Sequence, residues 1–122
     1  MITQKMRPVL LVEDNRDDEF LTAHAFKQNK VLNDLIVVRD GAEALEYIFG
    51  TGAFAGRNVS DLPAIVLLDL NLPKIHGLEV LRRLREDPRT RLLPVVILTT
   101  STEEQDVAKG YGYNLLFDKL NF

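Results

Sequence analysis

Five short apolar runs punctuate the chain, and they set its architecture. Val9-Leu10-Leu11-Val12 runs into Glu13-Asp14-Asn15, and Leu35-Ile36-Val37-Val38 precedes Asp40-Gly41. Ala64-Ile65-Val66-Leu67-Leu68 stops at Asp69, the stretch from Pro94 to Leu98 stops at Thr99, and Leu115-Leu116-Phe117 comes last. Continuous apolar runs of this length, bounded by polar residues, read as strands buried on both faces. Between them the polar and apolar residues alternate at helical spacing. Phe20, Leu21, Ala23, Ala25 and Phe26 mark a first helix, with Asn15 as its cap and Asp17, Asp18 and Glu19 at its positive end. Phe20 and Phe26 are read as core residues. A second helix is expected over residues 42–49. A third is expected over Gly77–Glu86, ended by Asp87-Pro88. Ser101 or Thr102 can cap a further short helix carrying Glu103 and Glu104. Residues 50–63 hold three glycines and a proline and read as a loop.

Strands alternating with helices imply right-handed βαβ crossovers and a parallel sheet. The expectation is an α/β, doubly wound, flavodoxin-like fold with five parallel strands. In such sheets ligands bind beyond the carboxyl ends of the strands. That rule singles out Glu13, Asp14, Asp69, Thr99 and the neighbourhood of Lys119.

Composition narrows the function. The 122 residues suit one domain with one core, and the whole chain, 1–122, is read as one. The formal net charge of -3 argues against nucleic-acid binding through bulk positive charge. Cysteine is absent, which excludes disulfides and thiolate metal sites. Residues 1–8 are polar and the apolar run after them is short, so neither a signal peptide nor a membrane span is expected, and a cytoplasmic location is the default. The arginines at 82, 83, 85, 89 and 91 read as a solvated helix face rather than a nucleic-acid surface. His24 and His76 are isolated and read as exposed residues, not ligands.

With strands one and three as neighbours, the carboxylates of Glu13, Asp14 and Asp69 converge. Like charges so placed need a proton or a cation. Mg²⁺ suits the purpose, since it takes one or two carboxylates, water and phosphate oxygens. An aspartate carboxylate can also attack phosphorus, and phosphoryl transfer then depends mainly on positioning and charge stabilisation. A hydroxyl at Thr99 and an ammonium would complete the set.

Three segments carry a family resemblance: L-L-V-E-D-N at 10–15, L-L-D-L-N-L-P-K-I-H-G-L-E-V-L at 67–81 and P-V-V-I-L-T-T-S at 94–101. Together they resemble the receiver domain of two-component response regulators. The resemblance implies Asp69 as the phosphoacceptor, Glu13 and Asp14 as the acid pair that binds Mg²⁺, and Asn71 as a backbone-carbonyl ligand. It implies Thr99 as the switch hydroxyl and a sensor histidine kinase as partner. The N-L-P-K-x-x-G loop, residues 50–63 and the T-T-S triplet look closest to single-domain regulators paired with phytochrome kinases.

The C-terminal part departs from the pattern. The family's Lys-Pro pair would fall at Asn121, which no proline follows. Lys119 is taken as the counterpart lysine, for pairing with phosphate, and Leu120 replaces the proline and its cis peptide. The aromatic switch position is Leu116. The family's last helix is expected to be missing, which would expose the face near strand five and favour a homodimer.

An aspartate-nucleophile phosphohydrolase would need an acid at position 71, which is Asn. A flavin or nucleotide carrier would need a phosphate-cradling loop after strand one, where Glu13-Asp14-Asn15 stands instead. A degenerate receiver serving as a binding scaffold without phosphorylation is the remaining alternative. Catalysis by the chain itself is expected to be limited to phosphoryl uptake and self-dephosphorylation.

Overall fold

The computed structural model describes residues 6–98 and 115–117. The strands are β1 (Val9–Val12), β2 (Leu35–Val38), β3 (Ile65–Asp69), β4 (Val95–Leu98) and β5 (Leu115–Phe117). The helices are α1 (Arg16–Gln28), α2 (Gly41–Phe49) and α3 (Gly77–Glu86). All strand pairs are parallel, in the order β2-β1-β3-β4-β5. This is the doubly wound α/β sheet expected from the apolar runs, with β1 and β3 adjacent.

Strand alternation sorts the core onto two faces. Leu10, Val12, Val66, Leu68, Val95 and Ile97 pack with residues of α2 and α3 such as Ile48, Leu81 and Leu84. Val9, Leu11, Leu67, Val96 and Leu98 form the other face, against which Phe26 of α1 packs. Every residue of β1 and β4 is buried, which is why these strands read as unbroken apolar runs. β2 lies at the edge, and only Val38 in it is fully buried.

The helix ends follow local chemistry. Asn15 caps α1 by accepting from the Asp17 and Asp18 amides at 2.8 and 3.1 Å. The acids in that first turn face the positive end of the helix dipole. α2 starts at Gly41, one residue before the expected bound, and closes on Gly50 in the left-handed region at φ +65°.

Two readings are corrected. Phe20 is 68% exposed and stacks on His24 at a centroid distance of 6.2 Å, so of the two phenylalanines only Phe26 joins the core. Residues 50–63 are not a plain loop. They contain a 3₁₀ turn, Gly52–Phe54. Arg57 ties the segment down by donating to the carbonyls of Tyr47, Ile48 and Asp61, while its guanidinium lies 4.4 Å from the centroid of the Tyr47 ring.

Of the arginines expected on one solvated helix face, Arg82 and Arg83 lie on α3 and are ion-paired, Arg85 is half-buried and donates to the Arg91 and Leu93 carbonyls, and Arg89 and Arg91 follow the helix. Glu79 accepts from Arg82 and Arg83, and Glu86 from Arg82. Asp87 takes both Nε and Nη2 of Arg89. No helix among the described residues is long and apolar enough to cross a membrane. The expected helix after residue 101 and everything expected of residues 118–122 lie outside the described residues.

Candidate functional site

The register of the sheet builds the site. Val12 pairs with Leu68, so the residues that follow, Glu13 and Asp69, emerge side by side at the carboxyl ends of β1 and β3. The Glu13 amide donates to Val38 at 3.0 Å, continuing the ladder with β2 and fixing where Glu13 and Asp14 point. Carboxylate oxygens of Glu13, Asp14 and Asp69 all lie within 4.8 Å of one another. Glu13 and Asp69 are 1% and 2% exposed, whereas Asp14 opens to solvent. The geometry is a pair of buried acids reached past an exposed one. Three hard oxygen donors at this spacing match the ligand preferences of Mg²⁺ or Mn²⁺.

Asp69 is held by the loop after it. The Asn71 amide donates to Asp69 Oδ1 at 3.0 Å, and the Gly77 amide donates to the Leu70 carbonyl at 3.0 Å, folding the loop back onto β3. Gly77 is obligatory in packing terms. A Cβ there would stand 2.5 Å from both the Asp69 carbonyl oxygen and Leu70 Cα. His76 caps α3, its Nδ1 accepting from the Leu78 amide at 3.1 Å, so it is a structural residue where the sequence showed only an isolated histidine.

A brace missed by sequence reasoning comes from α2. Asp40, 7% exposed, caps α2 through Oδ1 and pairs through Oδ2 with Lys74 Nζ at 3.3 Å. A Cβ on Gly41 would meet the Ile75 carbonyl oxygen at 2.1 Å, so the loop backbone lies directly on this glycine. Lys74 adopts a positive φ of 66° at the point of contact. The sequence shows Asp40-Gly41 only as the residues after the second apolar run, because the contact spans more than thirty residues and spacing along the chain carries no sign of it. Thr99 directly follows Leu98, the register partner of Asp69, but Thr99 and Lys119 both lie outside the described residues.

Buried acids at adjacent strand ends put an acidic cluster at the carboxyl edge of a parallel five-stranded sheet, where α/β sheets of this kind bind their ligands. The chain belongs to the response regulator receiver domain family, whose pattern it matches over residues 9–116. Response regulator Rcp1 of Synechocystis sp. is 40% identical over 103 residues, which cover 84% of this chain and 68% of Rcp1. The chain thus spans about two thirds of that relative's length. Among solved structures, the bacteriophytochrome response regulator RtBRR is 47% identical with a TM-score of 0.87, the match covering 93% of this chain and 69% of that one. The Mn²⁺-bound form of Rcp1 superposes with a TM-score of 0.81 at 35% identity, over 92% of this chain and 80% of that one. The likeness to response regulators of phytochrome systems, expected from the loop motifs, is therefore found in RtBRR, and the chain is a receiver domain of two-component signalling.

Proposed function

We propose that this chain is a phosphoaccepting switch in which Asp69 takes a phosphoryl group from a sensor histidine kinase of the phytochrome type. The observation that carries the proposal is the carboxylate triad: Asp69 lies buried at the strand end within 4.8 Å of two further acids. Asp69 supplies the nucleophile. Its carboxylate oxygen bonds to phosphorus as the P–N bond to the kinase histidine breaks, and the imidazole leaves. Glu13, Asp14, Asp69 and the Asn71 carbonyl are the ligands for a divalent ion, Mg²⁺ or Mn²⁺. When bound, that ion neutralises the acids and polarises a phosphoryl oxygen.

The Asn71 amide at Asp69 Oδ1 orients the nucleophile. Burial of Glu13 and Asp69 keeps water from weakening these charge interactions. Thr99, next after the register partner of Asp69, is assigned the switch hydroxyl, and Lys119 the ammonium that pairs with the phosphoryl group. Asn71 in place of an acid leaves no general acid two residues past the nucleophile, which fits slow self-dephosphorylation rather than turnover. Residues 1–122 are taken as a single receiver domain that acts through a partner.

Transfer from a kinase tests this. A phytochrome-type histidine kinase carrying labelled phosphate on its histidine is mixed with the chain in Mg²⁺. Label should move to the chain, should fail to move to Asp69→Asn, and should slow when Glu13→Gln or Asp14→Asn is used. Transfer to Asp69→Asn at the wild-type rate would place the acceptor elsewhere.

A further inference from the structure

The opposite end of the sheet, where the strands begin, carries a second surface that phosphoryl chemistry does not use. A groove of about 390 Å³ opens there, with Arg7, Leu62, Pro63, Arg91 and Leu92 among its lining residues. Among the described residues, three arginines line it and no carboxylate does. Arg89 is committed, since Asp87 holds it at both Nε and Nη2 and it lies over the Phe49 ring at 4.9 Å. Arg7 and Arg91 are exposed and form no ion pair among the described residues. Leu92 is 85% exposed, the most exposed large apolar side chain among the described residues.

Looseness of the chain does not explain that exposure. Thr90 is 1% exposed, and its hydroxyl donates to the Leu84 carbonyl at 2.6 Å. Arg85 donates from Nη1 to the carbonyls of Arg91 and Leu93, at 3.2 and 2.7 Å, and the Leu93 amide closes the turn on the Thr90 carbonyl at 3.0 Å. The turn that displays Arg91 and Leu92 is thus fixed from inside on both sides of them. On the facing wall, the Arg7 carbonyl accepts from Asn33 Nδ2 at 2.7 Å, and the Pro8 carbonyl accepts from the Ala64 amide at 2.8 Å. The groove is preformed, so a ligand would pay little to order it.

We infer that this groove docks an acidic protein segment bearing a large apolar side chain, the carboxylates meeting Arg7 and Arg91 and the apolar group packing on Leu92, Leu62 and Pro63. Charge complementarity selects the occupant, because a lining whose described residues include two guanidinium groups outside any ion pair among them, and no acid, suits carboxylates. The concavity favours an inserted side chain over a flat anionic lipid surface. Since the groove and Asp69 lie at opposite ends of the strands, docking leaves the phosphoacceptor pocket open. The receiver could then be held by one protein while exchanging phosphate with another.

The probe is a short dye-labelled synthetic peptide in which Asp and Glu flank one Leu and one Phe, titrated with the full chain and read by fluorescence anisotropy. Saturable binding that falls with added salt is expected. Arg91→Glu and Leu92→Ser, both at exposed positions, should each weaken it by about tenfold, and Asp69→Asn should leave it unchanged. Circular dichroism confirms that the variants are folded, and amide shifts in NMR should map to residues 7 and 91–93. Absence of binding up to about millimolar chain overturns the inference. So does binding that the two groove variants leave intact, or binding to phosphatidylglycerol vesicles in place of the peptide.

Discussion

At the scale of single residues, Asp69 is set apart less by being acidic than by its surroundings. Asp14 and Asp69 belong to one cluster, yet one is exposed and the other 2% exposed. A cation drawn to the cluster is therefore expected to stabilise the fold. Mg²⁺ at a hundredfold excess over its Kd should add about 2.7 kcal/mol to unfolding stability, seen as a rise in Tm. Asp14→Asn should remove most of that rise by weakening binding, and a full Mg²⁺-dependent rise in this variant would remove Asp14 from the ligand set. His76 gives a separate test, since its role is structural. His76→Ala should cost about 1 kcal/mol in denaturant unfolding, whereas His76→Asp, a better cap, should not. The acids were legible in the sequence because strand ends are where runs of apolar residues stop, and three such ends carried acids or a hydroxyl. His76 was not legible, because an imidazole is an uncommon cap and nothing in its neighbours marks it as one.

At the scale of elements, the loop from β3 to α3 is shaped by what packs against it. Gly77 is the first residue of α3, where helix propensity alone would reward alanine by about 0.5–1 kcal/mol. Packing predicts the reverse sign. The added Cβ would meet the Asp69 carbonyl oxygen and Leu70 Cα, both backbone, at 2.5 Å. Gly77→Ala should lose about 1–3 kcal/mol in equilibrium unfolding and should slow phosphoryl uptake as Asp69 shifts. A more stable variant would show that the loop yields easily. The charged face of α3 has its own signature. Hydrogen bonds from Arg82 and Arg83 hold the Glu79 carboxyl at about 2, and those from Arg89 hold Asp87 at about 2. Both lie below the usual carboxylate range, so the folded state binds these protons less readily than the unfolded one. Their support is complete above the ordinary carboxylate pKa and is lost as pH falls from there toward 2. Exposure and salt keep the effect small, and Glu79→Gln should flatten that acid limb of the stability curve. Helix bounds were legible here from Gly77 and Asp87-Pro88. The brace of Asp40 and Gly41 on this loop was hidden, because two elements distant in sequence meet only once the sheet is wound.

At the scale of the whole molecule, the two ends of one parallel sheet carry different chemistry. The carboxyl ends gather acids, while the amino ends display Arg7, Arg91 and Leu92. The fold was legible almost entirely from the apolar runs, since strands buried on both faces leave little room for alternation. Position on the sheet then said which acids matter. Exposure on α1 is not legible in the same way, and Phe20 lies outside the core although the pattern predicts it inside, because helical spacing alone does not say which stripe of a helix faces inward. The central claim concerns Asp69, and intact mass spectrometry tests it most directly. The chain is incubated with Mg²⁺ and acetyl phosphate and its mass is followed. The expected result is a single base-labile phosphoryl adduct that requires the metal and disappears in Asp69→Asn. An unmodified mass under saturating donor, or an adduct that persists in Asp69→Asn, would contradict it.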